Sequence, residues 1–192
     1  MTSSRIKEIA LVHFAQKGYE GAALSQIADE VGIKKPSIYA HFKGKDDLFL
    51  AIIQDVVQAE LTYVNNYLTK ERNDSLHDYL FRFLENYLER YENDNGTKFF
   101  LRISFFPPEH LHDQIMTLLY GYLDKFEELL LPIFTKALED KTIGVIDPKD
   151  AAIAFIGLLD SVLVEMLYGG PDRYAKRFEA AWKIFWRGLS RE

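Results

Sequence analysis

Between Gly32 and Lys45 the chain reads GIKKPSIYAHFKGK, with four lysines, two aromatics, one histidine and no acid. Ammonium, phenol, hydroxyl and imidazole groups at this density can donate hydrogen bonds to phosphate oxygens. Short polar side chains among them can reach base edges. Asp46 and Asp47 then end the run at once. Residues 1–50 carry seven Lys/Arg against six Asp/Glu, whereas the remainder carries sixteen against twenty-three. A chain of net charge -6 is repelled by nucleic acid at long range, so any contact must be made by a local patch. This segment is the candidate patch. On charge alone, four lysines in a turn equally describe a solvated surface.

Other chemistry is thinly represented. There is no cysteine, which excludes disulfides, thiolate catalysis and Cys-based zinc sites. His110 and His112 stand two apart, a spacing that does not converge on one helix face. With Asp113 they make a poor metal set. We find no G-x-x-x-x-G-K-[ST] loop, no H-E-x-x-H and no nucleophile–base pair, so no enzyme activity, metal or cofactor is expected. His13 falls on an apolar stripe and reads as core. Asp160 and Glu165 interrupt the most apolar run, AAIAFIGLLDSVLVEMLYGG, and each must pair or reach solvent. Two readings stand: a counter-charge for a cationic ligand, or a salt bridge to Arg173, Arg177 or a second copy. That run reads as too short to cross a bilayer comfortably, and its acids are costly in hydrocarbon, so no membrane span is expected. The N-terminus lacks a signal-peptide pattern, which points to the cytoplasm.

Helices must position these groups. Nearly every periodic segment places apolar residues at i, i+3 and i+4, and no run alternates like a strand. The spacing predicts an all-α chain of about nine helices. The first spans residues 3–16, with Gly18 closing it. Short helices follow over 24–31 and 35–42, the latter with Pro36 in its first turn. A long helix starts near Lys45, with Asp46 and Asp47 favouring its positive end. The next covers 75–91, capped by Asn73 or Asp74. Residues 93–96, NDNG, read as a turn, and a short helix then stops at Pro107-Pro108. A pattern over 109–139 contains Pro132 as a kink or break. Asp147 and Pro148 read as N-cap and N1 of a helix to Tyr168, and Gly169-Gly170-Pro171 turns into the last helix. The two short helices about Gly32 make a helix-turn-helix whose second helix can enter a major groove, with Ile33, Ile38 and Phe42 packing it down.

Residues 6–50 resemble the N-terminal domain of TetR-family transcriptional regulators. They carry F-x-x-x-G-Y from Phe14, I-A-x-x-x-G-I from Ile27 and S-I-Y-x-H-F-K-x-K-x-x-L from Ser37, in the family's order and spacing. The resemblance implies a three-helix DNA-binding domain, a connecting helix and a larger C-terminal domain. It also implies dimers that bind a palindromic operator in double-stranded DNA, and a small effector that releases it. By position, Lys35, Ser37 and Ala40 would face bases, and Tyr39, His41 and Lys45 would bind phosphates, with Lys34 and Pro36 beside them. The chain departs from the family at Ala22 and Ala23, where a hydroxyl usually caps the second helix. It departs again at Ser25, where Arg is frequent, and at Lys34, where Ser is usual. The operator therefore cannot be inherited from a relative.

The expected division is residues 1–47 for DNA binding and 48–192 for ligand binding and dimerisation. Phe155, Leu159, Val162, Phe178, Trp182 and Phe185 are expected at a four-helix dimer face. Of the 27 aromatics, 22 follow residue 50. Phe99, Phe100, Phe105, Tyr120, Phe126 and Phe155 are candidates to line a cavity for a hydrophobic effector. The expected function is a ligand-responsive, sequence-specific repressor. A transcriptional activator or a helical protein-binding adaptor is the alternative.

Overall fold

The computed structural model describes residues 3–70 and 74–190. Among them lie nine α-helices, one 3-10 turn and no strand. Contacts divide the chain into two compact units, Met1–Glu60 with Glu92–Gly121, and Leu61–Tyr91 with Tyr122–Glu192. The cut expected after residue 47 is not among these boundaries, because a helix far along the chain is built into the first unit.

In the first unit, α1 (Ser3–Gly21) buries Ile6, Ile9, Ala10, His13 and Phe14 along one stripe. It runs past the predicted end at residue 16, interrupted at Gly18, whose φ of 70° suits glycine. The Arg102 guanidinium covers this glycine: a Cβ there would lie 3.0 Å from Nε and Nη2. Helix α2 (Leu24–Val31) buries Leu24, Ile27, Ala28 and Val31 and ends at Gly32 in the left-handed region. Helix α3 (Lys35–Tyr39) stops short of the predicted residue 42, and His41 and Phe42 instead donate backbone N–H bonds to Ile38 O. Helix α4 (Lys45–Leu68) supplies Leu48, Phe49, Ile52, Ile53 and Val56 to the core. The expected NDNG turn is instead a helix start. The Asp94 carboxylate accepts the Thr97 N–H at 2.7 Å and caps α6 (Asn95–Phe105). Helix α6 packs on α1 through Phe99, whose ring meets Phe14 at 6.3 Å and Phe49 at 5.4 Å. Pro107 and Pro108 end α6, and the 3-10 turn Glu109–Leu111 leads into α7 (His112–Glu139), which continues through Pro132.

The second unit contains α5 (Leu76–Asn93) up to Tyr91, the later part of α7, and helices α8 (Pro148–Tyr168) and α9 (Gly170–Leu189). Ser75, not Asp74, caps α5: its hydroxyl oxygen accepts the Asp78 N–H at 3.1 Å and its O–H donates to Asp78 Oδ2 at 2.9 Å. Asp74 pairs instead with Arg82, and Asn73 lies outside the described residues. Phe83, Phe126, Phe134 and Phe155 form a fully buried ring cluster. Asp147 caps α8 by accepting the Lys149 N–H at 2.9 Å, with Pro148 in the first turn, as its sequence predicts. At 21 residues α8 is long and apolar enough to cross a membrane, so length alone does not exclude that reading. Its burial does more: Ala151, Ala152, Phe155, Leu158, Leu159, Val162 and Leu163 are packed inside the unit.

Candidate nucleic-acid interface

A five-residue helix does not persist alone. Lys34 at its N-cap makes no side-chain cap bond, and the Pro36 ring fits the first turn because its missing N–H is not needed there. Burial holds α3 in place: Ile38 is 0% exposed, and Phe42 is buried just beyond it. Lys34, Lys35, Pro36, Ser37, Tyr39, Ala40 and His41 are all exposed around that anchor. Tyr39 leaves half its surface in water, an uncommon placement for an aromatic with no packing role. Lys45, the eighth predicted contact, is half-buried, its Nζ standing 4.2 Å over the Tyr19 ring.

The two acids that close the basic run are engaged by neighbouring donors, although Asp46 stays exposed. Asp47 Oδ2 accepts the Lys43 backbone N–H at 2.8 Å. Asp46 Oδ1 accepts the Tyr19 hydroxyl and lies 3.3 Å from His110 Nε2. The Tyr19 bond, more than the His110 bond and charge, holds the Asp46 carboxyl below the usual carboxylate range. Burial first, and the Asp46 bond second, pushes the Tyr19 phenol up. The Tyr19 ring sits edge-on to Phe49 at 5.0 Å and to His110 at 5.0 Å. Sequence reasoning considered His110 only as a metal ligand and did not find this link. Nothing local signals it, since the partners lie 64 residues apart.

The hydroxyl cap missing from the sequence before α2 is missing in the structure too. Ala23 at the N-cap of α2 makes no side-chain cap bond. His13 is buried with Nε2 2.7 Å from Glu30 Oε2, tying α1 to α2, while its Nδ1 is buried with no hydrogen-bond partner among the described residues.

The ligand-cavity candidates scatter by role. Phe99 is fully buried against Phe14 and Phe49, Phe100 is buried and Phe105 half-buried, while Tyr120 is 58% exposed. Phe126 and Phe155 are fully buried around Phe83. Two surface grooves lie within single units, of about 560 and 220 Å³. Leu131, Pro132 and Thr135 line the larger and Lys7, Ile52 and Asp55 the smaller; none of the six candidates lines either.

The residues expected at a dimer face are mostly packed within the protomer. Phe155, Leu159, Val162, Phe178 and Trp182 are buried within the protomer and Phe185 is half-buried, so these side chains have little surface to give a second copy. Helices α8 and α9 turn their large rings inward because Phe81, Phe83 and Phe134 are there to meet them. They leave outward Ile153, Ala154, Gly157, Asp160 and Ser161 on α8 and Ile184 on α9. Glu165 is buried and ion-paired to Arg177 Nη1 at 2.9 Å and Arg173 Nε at 3.2 Å, the structural alternative of the two left open by the sequence. Asp160 has no hydrogen-bond or ion-pair partner among the described residues; it keeps an exposed surface, yet desolvation by the atoms packed around it pushes its carboxyl up to about 6.

Residues 7–52 match the family described as bacterial regulatory proteins, tetR family. The biofilm operon icaADBC HTH-type negative transcriptional regulator IcaR of Staphylococcus aureus (strain Newman) is 34% identical over 93 residues, 45% of this chain and 48% of that protein. The match thus spans about half the length of that relative. A TetR-family transcriptional regulator from Agrobacterium tumefaciens superposes with TM-score 0.76 at 15% identity, over 98% of this chain and 97% of that one. SmeT, the repressor of the Stenotrophomonas maltophilia multidrug efflux pump SmeDEF, gives 0.73 at 18% identity, over 100% and 92%. An exposed basic face anchored by buried Ile38, an N-terminal segment that matches the tetR-family model and a whole-chain fold shared with these solved regulators agree with one another.

Proposed function

We propose that the chain is a sequence-specific DNA-binding transcriptional regulator that represses from a palindromic operator and is released by a small hydrophobic effector. The observation that carries this reading is the array around Ile38, with one residue buried as anchor and Lys34, Lys35, Pro36, Ser37, Tyr39, Ala40 and His41 exposed. A helix presented this way, with lysines at its N-terminal end, suits a major groove. Lys35, Ser37 and Ala40 are assigned to base edges, and Lys34, Tyr39, His41 and Lys45 to phosphates. The negative regulation named for IcaR supports repression over activation.

A symmetric dimer presents two such helices about 34 Å apart. The outward stripe Ile153, Ala154, Gly157 and Ser161 on α8, with Ile184 on α9, is assigned to its interface in place of the buried residues. Small side chains there allow close helix approach. The effector assignment rests on the aromatic richness of the chain after residue 50.

The test is fluorescence anisotropy with a duplex enriched from random sequence by the purified chain, against its scrambled counterpart, over a salt series. Tight binding of an even number of chains to the enriched duplex alone supports the reading. Tyr39→Ala should weaken binding to every sequence, Lys45→Ala should lower the salt slope by about one, and Lys35→Ala should change site preference. Failure to enrich any duplex would sink the proposal.

A further inference from the structure

We propose that His110 is a positioning residue for DNA contact, acting through Asp46 on the Lys45 ammonium. The inference rests on the DNA-binding reading above and names a control point of that same site.

Asp46 is the residue next to Lys45, and its carboxylate stands at the N-terminal end of α4, directly after the exposed basic segment. Unpaired, it would repel phosphates and draw Lys45 towards itself. Two groups hold that carboxylate in place, and the charge of one of them decides how much of its negative charge remains. The Tyr19 hydroxyl donates to Asp46 Oδ1 from α1, and His110 Nε2 lies 3.3 Å from the same oxygen, from the 3-10 turn between α6 and α7. The Lys45 Nζ meanwhile rests over the Tyr19 ring. Three segments far apart in sequence thus fix one carboxylate and one ammonium. With His110 neutral, the group Asp46–His110 carries a net negative charge beside Lys45. With His110 protonated, the pair is neutral and the Lys45 charge is left for a phosphate.

Other groups bear on the cluster. Glu20 lies near Tyr19 on α1, and Lys43 and Asp47 flank the start of α4, where Asp47 is occupied by the Lys43 N–H. Glu109, His112 and Asp113 neighbour His110 in sequence, with His112 Nδ1 3.0 Å from Asp113 Oδ1. His41 is exposed on the assigned DNA face and is itself assigned to a phosphate, so it must be silenced in the test.

The experiment measures anisotropy with the enriched duplex between about pH 8 and pH 6, the range in which imidazoles change charge. All variants carry His41→Gln. The parent should bind roughly three-fold tighter at the lower pH, the scale of one exposed charge pair. His110→Gln keeps a donor for Asp46 but cannot charge; it should match the parent at the higher pH and show a flat profile. His110→Ala should be flat and weaker at both ends. Thermal melts of each variant separate unfolding from loss of contact. A His110→Gln protein with the parent's pH profile, or a folded His110→Ala protein with the parent's affinity throughout, overturns the proposal. Absence of any sequence-specific binding by the wild-type chain overturns the DNA reading and this inference with it.

Discussion

Ile38→Ala is the perturbation with the most direct consequence, because Ile38 is the one buried residue of α3. The substitution removes three carbon atoms from a site with 0% exposure. At about 0.8 kcal/mol per methylene the transfer loss is roughly 2.4 kcal/mol, and the residual cavity raises the total to about 3 kcal/mol. Helix α3 has no side-chain cap bond with which to offset that loss. Urea unfolding reads it: with a slope near ~2 kcal/mol/M the midpoint should fall by roughly 1.5 M. The enriched duplex adds a second readout. Loosening α3 should weaken specific binding by about ten-fold or more, and the scrambled duplex less, since phosphate attraction survives without a fixed register. A midpoint shift under ~0.3 M, with specific affinity intact, would refute the claim that this side chain is the main anchor of the helix.

Gly18→Ala should cost about 1–2 kcal/mol in urea unfolding, because φ is 70° there; most of that cost should persist in an Arg102→Ala background, since the strain is in the backbone. Removing both Arg173 and Arg177 should destabilise by about 3–5 kcal/mol, more than Glu165→Ala, because the carboxylate is the buried partner and both arginines are largely solvated. The Asp160 carboxyl is raised from 3.8 to about 6, so its charge opposes folding above that value. Its share of stability is full at low pH and is lost as pH climbs from 3.8 to about 6. Asp160→Asn should flatten that part of the unfolding profile relative to wild type.

Much of this protein is determined by residue order alone. The i, i+3, i+4 stripes of α1 and α2, the Gly32 break, the Asp147-Pro148 start of α8 and the exposed basic segment are local facts, fixed by propensity, capping and the period of the apolar pattern. The same rules erred where two local options competed. Asp94 could open a turn or cap a helix, and the Thr97 N–H it accepts made it a cap. Ser75 displaced Asp74 because Arg82 took the carboxylate.

Which face of a helix meets what is not local. The apolar arcs of α8 and α9 read as a dimer surface, yet Phe81, Phe83 and Phe134 cover their large rings within the protomer and leave a small-residue stripe outward. Phe99 read as a cavity lining and became core because α6 lies on α1. The Tyr19–Asp46–His110 cluster depends on three chain segments meeting, and no pairwise spacing in the sequence encodes that encounter. Periodicity specifies that a side chain must be buried; only tertiary packing specifies against which partner, because apolar burial is non-directional until neighbouring shapes are fixed.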